Sequence, residues 1–227
     1  MLLRIAIGWL TLALAASAQT IAENVIPFPA LSPANQGLVR AVTDHYTLRR
    51  EYPPERFTGR TAHFDFLMNH MAACSMLAER LGLIRYHATE DAAGRVWADD
   101  REGSRGYLQR MYGSEGRYVY YVAGAEDGVF EVRGRGVAVI LTKPVAPDQL
   151  EYRATLFVKV DNTVLAMLTQ LFQVFVRGSV DKHFAHVMRH PVELTRLAAS
   201  EPGKIRSAIQ ALPAEQRPLL KEFENEL

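Results

Sequence analysis

Residues 149–160 alternate apolar and polar side chains and hand directly into a long amphipathic run, and no other stretch restricts the fold so tightly. Leu150, Tyr152, Ala154, Leu156, Val158 and Val160 alternate with Glu151, Arg153, Thr155, Phe157 and Lys159. That is the period of a strand with one covered face. Asp161-Asn162 then breaks the strand and supplies a helix N-cap. Leu165, Leu168, Phe172, Val176, Val180, Phe184 and Val187 follow at spacings of three or four, one stripe of a helix reaching His190. About 28 residues at 1.5 Å each span about 42 Å, enough to lie across a whole curved sheet. A sheet with one long apolar helix in its mouth predicts a closed apolar cavity.

Lysine and arginine number 26 against 25 acidic residues, so no global field draws the chain to nucleic acid or to an anionic bilayer. The first 18 residues read as a signal peptide. Arg4 precedes an apolar stretch, Ile5 to Ala16, and Ala16-Ser17-Ala18 has the small-x-small pattern of a cleavage site. An exported protein, periplasmic or secreted, beginning near Gln19 is expected. Cys74 is the sole cysteine and forms no internal disulfide. Among Met71, Leu77 and Leu81 it reads as a buried small hydrophobe.

Residues 19–31, with Pro27 and Pro29, read as a linker or extended arm. Ser32-Pro33 starts a helix whose face is Leu38, Val39, Val42 and Tyr46, stopped by Pro53-Pro54. Phe57 to Phe66 reads two ways. Ala62, Phe64 and Phe66 alternate like a strand, yet Phe64, Leu67, Met71, Cys74, Ala78 and Leu81 form a helical stripe. The expected arrangement is a brief strand, then a helix from about Leu67 to Leu81 closed by Gly82. Strands are predicted at 83–89, 95–100, 105–112, 117–123, 129–142 and 149–160. Turn-like breaks separate them, so the sheet is an antiparallel meander. Pro191 must kink the long helix or begin a new one at Val192. Two short helices, about 203–212 and 214–226, follow Glu201-Pro202-Gly203.

A helix, then antiparallel strands, then one long C-terminal helix resembles the helix-grip fold of the START-like superfamily, which includes lipid-transfer domains and polyketide cyclase-like proteins. The fold class is α+β: a curved antiparallel sheet of about six strands gripping the long helix, with extra helices at both ends. The organisation expected is a signal peptide at 1–18, an arm and helix at 19–56, the helix-grip domain at 57–190, and a helical extension at 191–227. The resemblance implies a cavity between sheet and helix that holds an apolar or amphipathic ligand. Tyr120, Tyr152, Leu156, Val158, Leu168, Phe172 and Phe175 are the expected lining, with tyrosine hydroxyls offered to a head group. His183 and His190 are candidates for its polar end.

His183, His186 and His190 also fall within about 60° on one helical face, a pattern that brings zinc or copper to mind. Metal sites usually draw a ligand from another element, so neither a metal nor another cofactor is expected. Asp99 to Gly106 reads as a charged hairpin turn, and Glu131, Arg133 and Arg135 as a salt-bridged solvated face. No G-x-S-x-G and no P-loop occurs, and Gly134-x-Gly136 lacks the third glycine of a dinucleotide fingerprint. Three functions remain. The preferred one is a carrier, chaperone or sensor that binds a lipid or other hydrophobic small molecule, with a membrane surface as a transient partner, without chemistry. The others are a cyclase- or hydratase-like enzyme on the same scaffold, and an envelope assembly or interaction protein.

Overall fold

The computed structural model of the chain describes residues 22–99, 103–126, 132–161 and 170–227. Seven antiparallel strands form one sheet in the order β1-β7-β6-β5-β4-β3-β2. They are β1 (Leu48–Thr58), β2 (His87–Glu90), β3 (Arg95–Asp99), β4 (Ser104–Ser114), β5 (Arg117–Glu126), β6 (Val132–Ala146) and β7 (Gln149–Val160). The helices are α1 (Pro33–Thr43), α2 (Thr61–Asn69), α3 (Met71–Arg80), α4 (Gln170–Ser200), α5 (Pro202–Gln210) and α6 (Lys221–Glu226). The α+β meander expected from the periodicity is present. Among the described residues no helix is long and apolar enough to cross a membrane.

The first strand lies elsewhere than expected. Ala62, Phe64 and Phe66 belong to α2, while the strand is the upstream segment 48–58, read as the tail of a helix ending at Pro53-Pro54. Those prolines do not stop a helix; they sit in a bulge. Tyr52 pairs with Ala154 and Glu55 with Tyr152, so Pro53-Pro54 lies where the register shifts and neither missing N–H is needed by the ladder. The bulge moves the inward-facing positions from even numbers to odd, which hides the strand from a period-two reading. The helix expected over 67–81 is instead α2 and α3, broken at His70. Gly82 closes α3 as expected: at φ 71° it lets Gly82 N donate to Glu79 O and Leu83 N to Ala78 O. Lys143-Pro144 is no break, because β6 continues to Ala146.

Three apolar layers result. Behind the sheet, Ile26, Phe28, Leu31, Val39 and Val42 pack on Val119, Tyr121, Val137 and Phe157. The stretch read as a loose arm is therefore buried against the outer face, and α1 begins at Ser32, whose hydroxyl accepts from Asn35 N at 3.3 Å. In front, α2, α3 and α4 pack on the inner face through Phe57, Phe64, Met68, Ile140, Met188 and Val192. A third cluster ties α3 and α4 to the C-terminal helices through Cys74, Leu77, Leu194, Ile205 and Phe223. Pro191 neither ends α4 nor starts a new helix. One lost hydrogen bond is outweighed by the anchoring of Met188, Val192 and Leu194, all at most 3 % exposed, on both sides of it.

Candidate functional site

The inner face is held to α4 by two polar clasps. Upstream of the bulge, Leu48, Arg50 and Tyr52 share the inner face with Val158, Leu156 and Ala154, their partners on β7. Asp181 of α4 accepts from Arg50 Nε and Nη2, each at 3.0 Å, and from the Tyr52 hydroxyl at 2.6 Å. Phe184, one turn on, stacks on the Tyr52 ring at 4.2 Å. Burial opposes the charge on Asp181, yet the Arg50 guanidinium and the Tyr52 hydroxyl hold its carboxyl below the usual carboxylate range. The second clasp joins His183 Nε2 to Ser104 Oγ of β4 at 2.9 Å, while His183 Nδ1 faces Ser179 O at 2.8 Å. In a flat sheet β1 and β4 would stand about 19 Å apart, four spacings of about 4.8 Å. A helix with its side chains is only about 10–12 Å across. Residues 181 and 183 reach both strands, so the sheet curls around the helix.

Under the clasps the floor changes character. On the near side, Tyr118, Tyr120, Phe57, Phe64 and Tyr152 fill the space. The next row across the sheet is Val158, Gly136, Val122, Leu108 and Val96, and the row beyond it is Val160, Gly134, Gly124, Gly106, Ala98 and Ala88. Five successive strands thus carry glycine or alanine on the inner face. At Gly106 the close approach of β4 and β5 demands this: a Cβ there would stand 2.5 Å from Ala123 O and 2.8 Å from Gly124 Cα. Val122, on the central strand and facing inward, is 39 % exposed. Among the described residues, the far half of the grip is therefore an apolar floor left exposed at Val122, rimmed by Arg50, Asp181, His183 and Ser104.

The residues expected to line a cavity divide between these halves. Tyr120 and Tyr152 belong to the packed half. The Tyr120 hydroxyl donates to Met68 O, and the Tyr152 hydroxyl to Glu55 Oε2 at 2.7 Å. Burial pushes both phenols up from the ordinary tyrosine value, helped at Tyr152 by the Glu55 carboxylate. Leu156 is buried in the same cross-strand row as Tyr120, and Val158, half-buried, is the one that lies in the Val122 row of the groove floor. Leu168 lies outside the described residues, as do the side chains of Phe172 and Phe175. His183 and His190 do not converge. His190 is 2 % exposed, and its Nδ1 faces the Tyr86 hydroxyl at 3.2 Å, away from β4. Burial first, then His186 and Arg189, lower its pKa from 6.5 to about 4. His186 stands beside it, rings 4.8 Å apart. Among the described residues no three His, Cys, Asp or Glu side chains are grouped to hold a metal ion.

A second opening flanks the packed half. It is a cleft of about 220 Å³ between the α2–α3 junction and β2–β4, lined by Asn69, His70, Glu90, Gln109 and Arg110 over a floor of Val96, Leu108 and Tyr120. Arg110 Nη1 donates to Asn69 O and Oδ1. Burial, with Arg110 adding to it, lowers the His70 pKa below its ordinary value; Glu222 and Glu90 oppose the shift. An adjacent, more acidic cleft of about 250 Å³ lies between α2 and α6. Sequence reasoning missed Arg50, Tyr52 and Asp181, the glycine row, and Arg110 with His70. Arg50 and Tyr52 sit in the strand mistaken for helix, Asp181 gains its role only from them, and the row exists only once the register is known.

No family model and no curated protein matches the chain. Among solved structures, a conserved protein from Geobacillus kaustophilus is similar over 66 % of this chain and 97 % of its own, at 12 % identity and a TM-score of 0.50. Ara h 8.0201 is similar over 64 % of this chain and 99 % of its own, at 10 % identity and a TM-score of 0.40. The di-domain aromatase/cyclase BexL is similar over 69 % of this chain and 52 % of its own, at 12 % identity and a TM-score of 0.33. This chain has the helix-grip fold. The likeness is one of fold, carried by the seven-stranded antiparallel sheet against α4 and by the first of these structures.

Proposed function

We propose that this helix-grip protein binds a hydrophobic small molecule, lipid-like in character, in the groove between α4 and the far half of the sheet, and acts as a carrier, chaperone or sensor. The observation that carries the reading is Val122, 39 % exposed on the inner face of the central strand, where a globular core would cover it. Beside it Gly124, Gly134 and Gly136 offer backbone in place of side chains. An apolar chain laid there recovers the contacts it loses on leaving a membrane, about 0.8 kcal/mol per CH₂. The phenols of Tyr120 and Tyr152 are raised and already bonded to protein acceptors, so they act here as packing rather than as acid–base groups. We also propose that the protein is exported and that its first 18 residues are removed; N-terminal sequencing of protein from its host reads Gln19 if so and Met1 if not.

The test is N-phenylnaphthylamine fluorescence, together with organic extraction and mass spectrometry of the purified protein. Wild type is expected to bind the probe saturably. Val122→Arg, which sets a charge on the floor at an already exposed position, is expected to abolish binding while moving stability by no more than about 0.5 kcal/mol. Undiminished binding in that variant refutes the groove.

A further inference from the structure

The apolar groove and the polar cleft share a wall. Leu108 pairs with Val122 on the groove floor and also lines the cleft. Arg110 follows Leu108 by two residues on the same face, and Gly106 precedes it by two. At about 3.4 Å per residue, four residues separate the charged group of the cleft from the glycine row by about 14 Å. One continuous strip of the inner face therefore runs from a cation, past an apolar wall, to a bare floor. At about 220 Å³ the cleft is smaller than the roughly 300–1,000 Å³ that encloses a whole small ligand. It suits a head group.

The charges of the cleft specify which head group. Among the described residues Arg110 engages Asn69 through Nη1, with Nε and Nη2 as further donors. Glu90 lies two strands over, on β2. His70 lines the same cleft as both charges. Asn69 and Gln109 add neutral polar groups. Glu90 stands in register with Val96 and Leu108, so it is offset from Arg110 by two strand spacings and two residues, about 12 Å along the backbone, and the fixed cation and fixed anion form a dipolar site.

We propose that the ligand is a single-chain zwitterionic amphiphile, its chain on the Val122–Gly124 groove, its oxyanion on Arg110 and its ammonium toward Glu90. This rests on the groove reading above and adds the head group to it.

The test compares three probes on the full chain and its variants: lyso-phosphatidylethanolamine, a fatty acid of equal chain length, and N-phenylnaphthylamine. Arg110→Ala is expected to weaken the lysolipid about tenfold or more, the loss of a charge-assisted bond, while the neutral probe binds as before. Glu90→Gln is expected to weaken the lysolipid and to strengthen the fatty acid. If Arg110→Ala lowers all three probes alike, its structural bond to Asn69 is being read, and Glu90→Gln decides: equal change for lysolipid and fatty acid overturns the assignment. Unchanged lysolipid affinity in Arg110→Ala overturns it too. Wild-type protein that takes the neutral probe but not the lysolipid ends this inference and leaves the groove standing; protein that takes neither ends both.

Discussion

His190 is expected to make the stability of the protein fall on mild acidification. Its ring is 2 % exposed, one nitrogen faces the Tyr86 hydroxyl at 3.2 Å, and Nε2 has no hydrogen-bond partner among the described residues. Burial, His186 and Arg189 lower its pKa to about 4 from 6.5. A lowered histidine pKa means that the unfolded chain binds the proton first. Between pH 6.5 and about 4 the unfolded state holds one more proton than the folded state, so stability decreases as pH falls, by about 1.4 kcal/mol per pH unit. Over that window the loss is at most about 3 kcal/mol; above pH 6.5 and below pH 4 this group adds no slope. His190→Asn keeps a group near Nδ1 to meet Tyr86 but cannot titrate. Urea unfolding of both proteins from pH 7.5 to 4 is the assay. The gap between the two stability curves is expected to change by about 2–3 kcal/mol across the window, with the variant losing less. Parallel curves refute the argument, because they would mean that His190 reaches water or takes its proton in the folded state as readily as in the unfolded one.

Phe223 is fully buried, stacked on Phe66 at 5.2 Å and edge-on to His63 at 5.4 Å; Phe223→Ala is expected to cost about 3–5 kcal/mol, seen as a lower denaturation midpoint, or to release α6 alone, seen as early proteolysis at the C-terminus. Tyr52→Phe removes the donor to Asp181 but keeps the stack on Phe184; a loss of about 0.5–1.5 kcal/mol in denaturant unfolding is expected, with faster exchange of any groove probe.

The meander was legible because strands that expose one face keep strict alternation and are parted by turn residues. Six of the seven strands overlap the predicted segments, and β7 matches residue for residue. The strand that was lost, β1, contains Pro53-Pro54, and two prolines read as a stop when only the partner strand reveals a bulge. The site was legible in part. Leu156 and Val158 face inward because β7 alternates, which is local information. That Val122 is uncovered depends on what packs beyond it, and that Gly106, Gly124 and Gly134 form a row depends on two cross-strand registers. Tyr120 and Tyr152 were placed on the right face, but their hydroxyls are held by Met68 O and by Glu55, neighbours supplied by α2 and by the missed strand. The histidines share a helical face in sequence, yet the curl of the sheet hands His183 to β4 while His190 meets Tyr86.

The exposed Val122 also bears on why the chain carries its two helical additions. The segment 22–43 covers the outer face of the same strands so well that Val119 and Val39 are fully buried. The C-terminal helices bury Leu194, Ile205 and Phe223 just as completely. Apolar surface is thus covered at both ends of the molecule, while among the described residues the inner face of β5 is left exposed at Val122. Covering one valine is worth about 1.5 kcal/mol or more, and a single larger side chain at Gly136 or Gly134 would do much of it. At Gly136 nothing in the strand geometry forbids one: a Cβ there meets Phe157 O at 3.5 Å, ordinary contact, in contrast to the 2.5 Å clash at Gly106. Glycine at 136 is therefore not demanded by the backbone. It leaves space above the floor, and a fold that retains such space beside an exposed valine gives up stability that an apolar ligand would restore on binding.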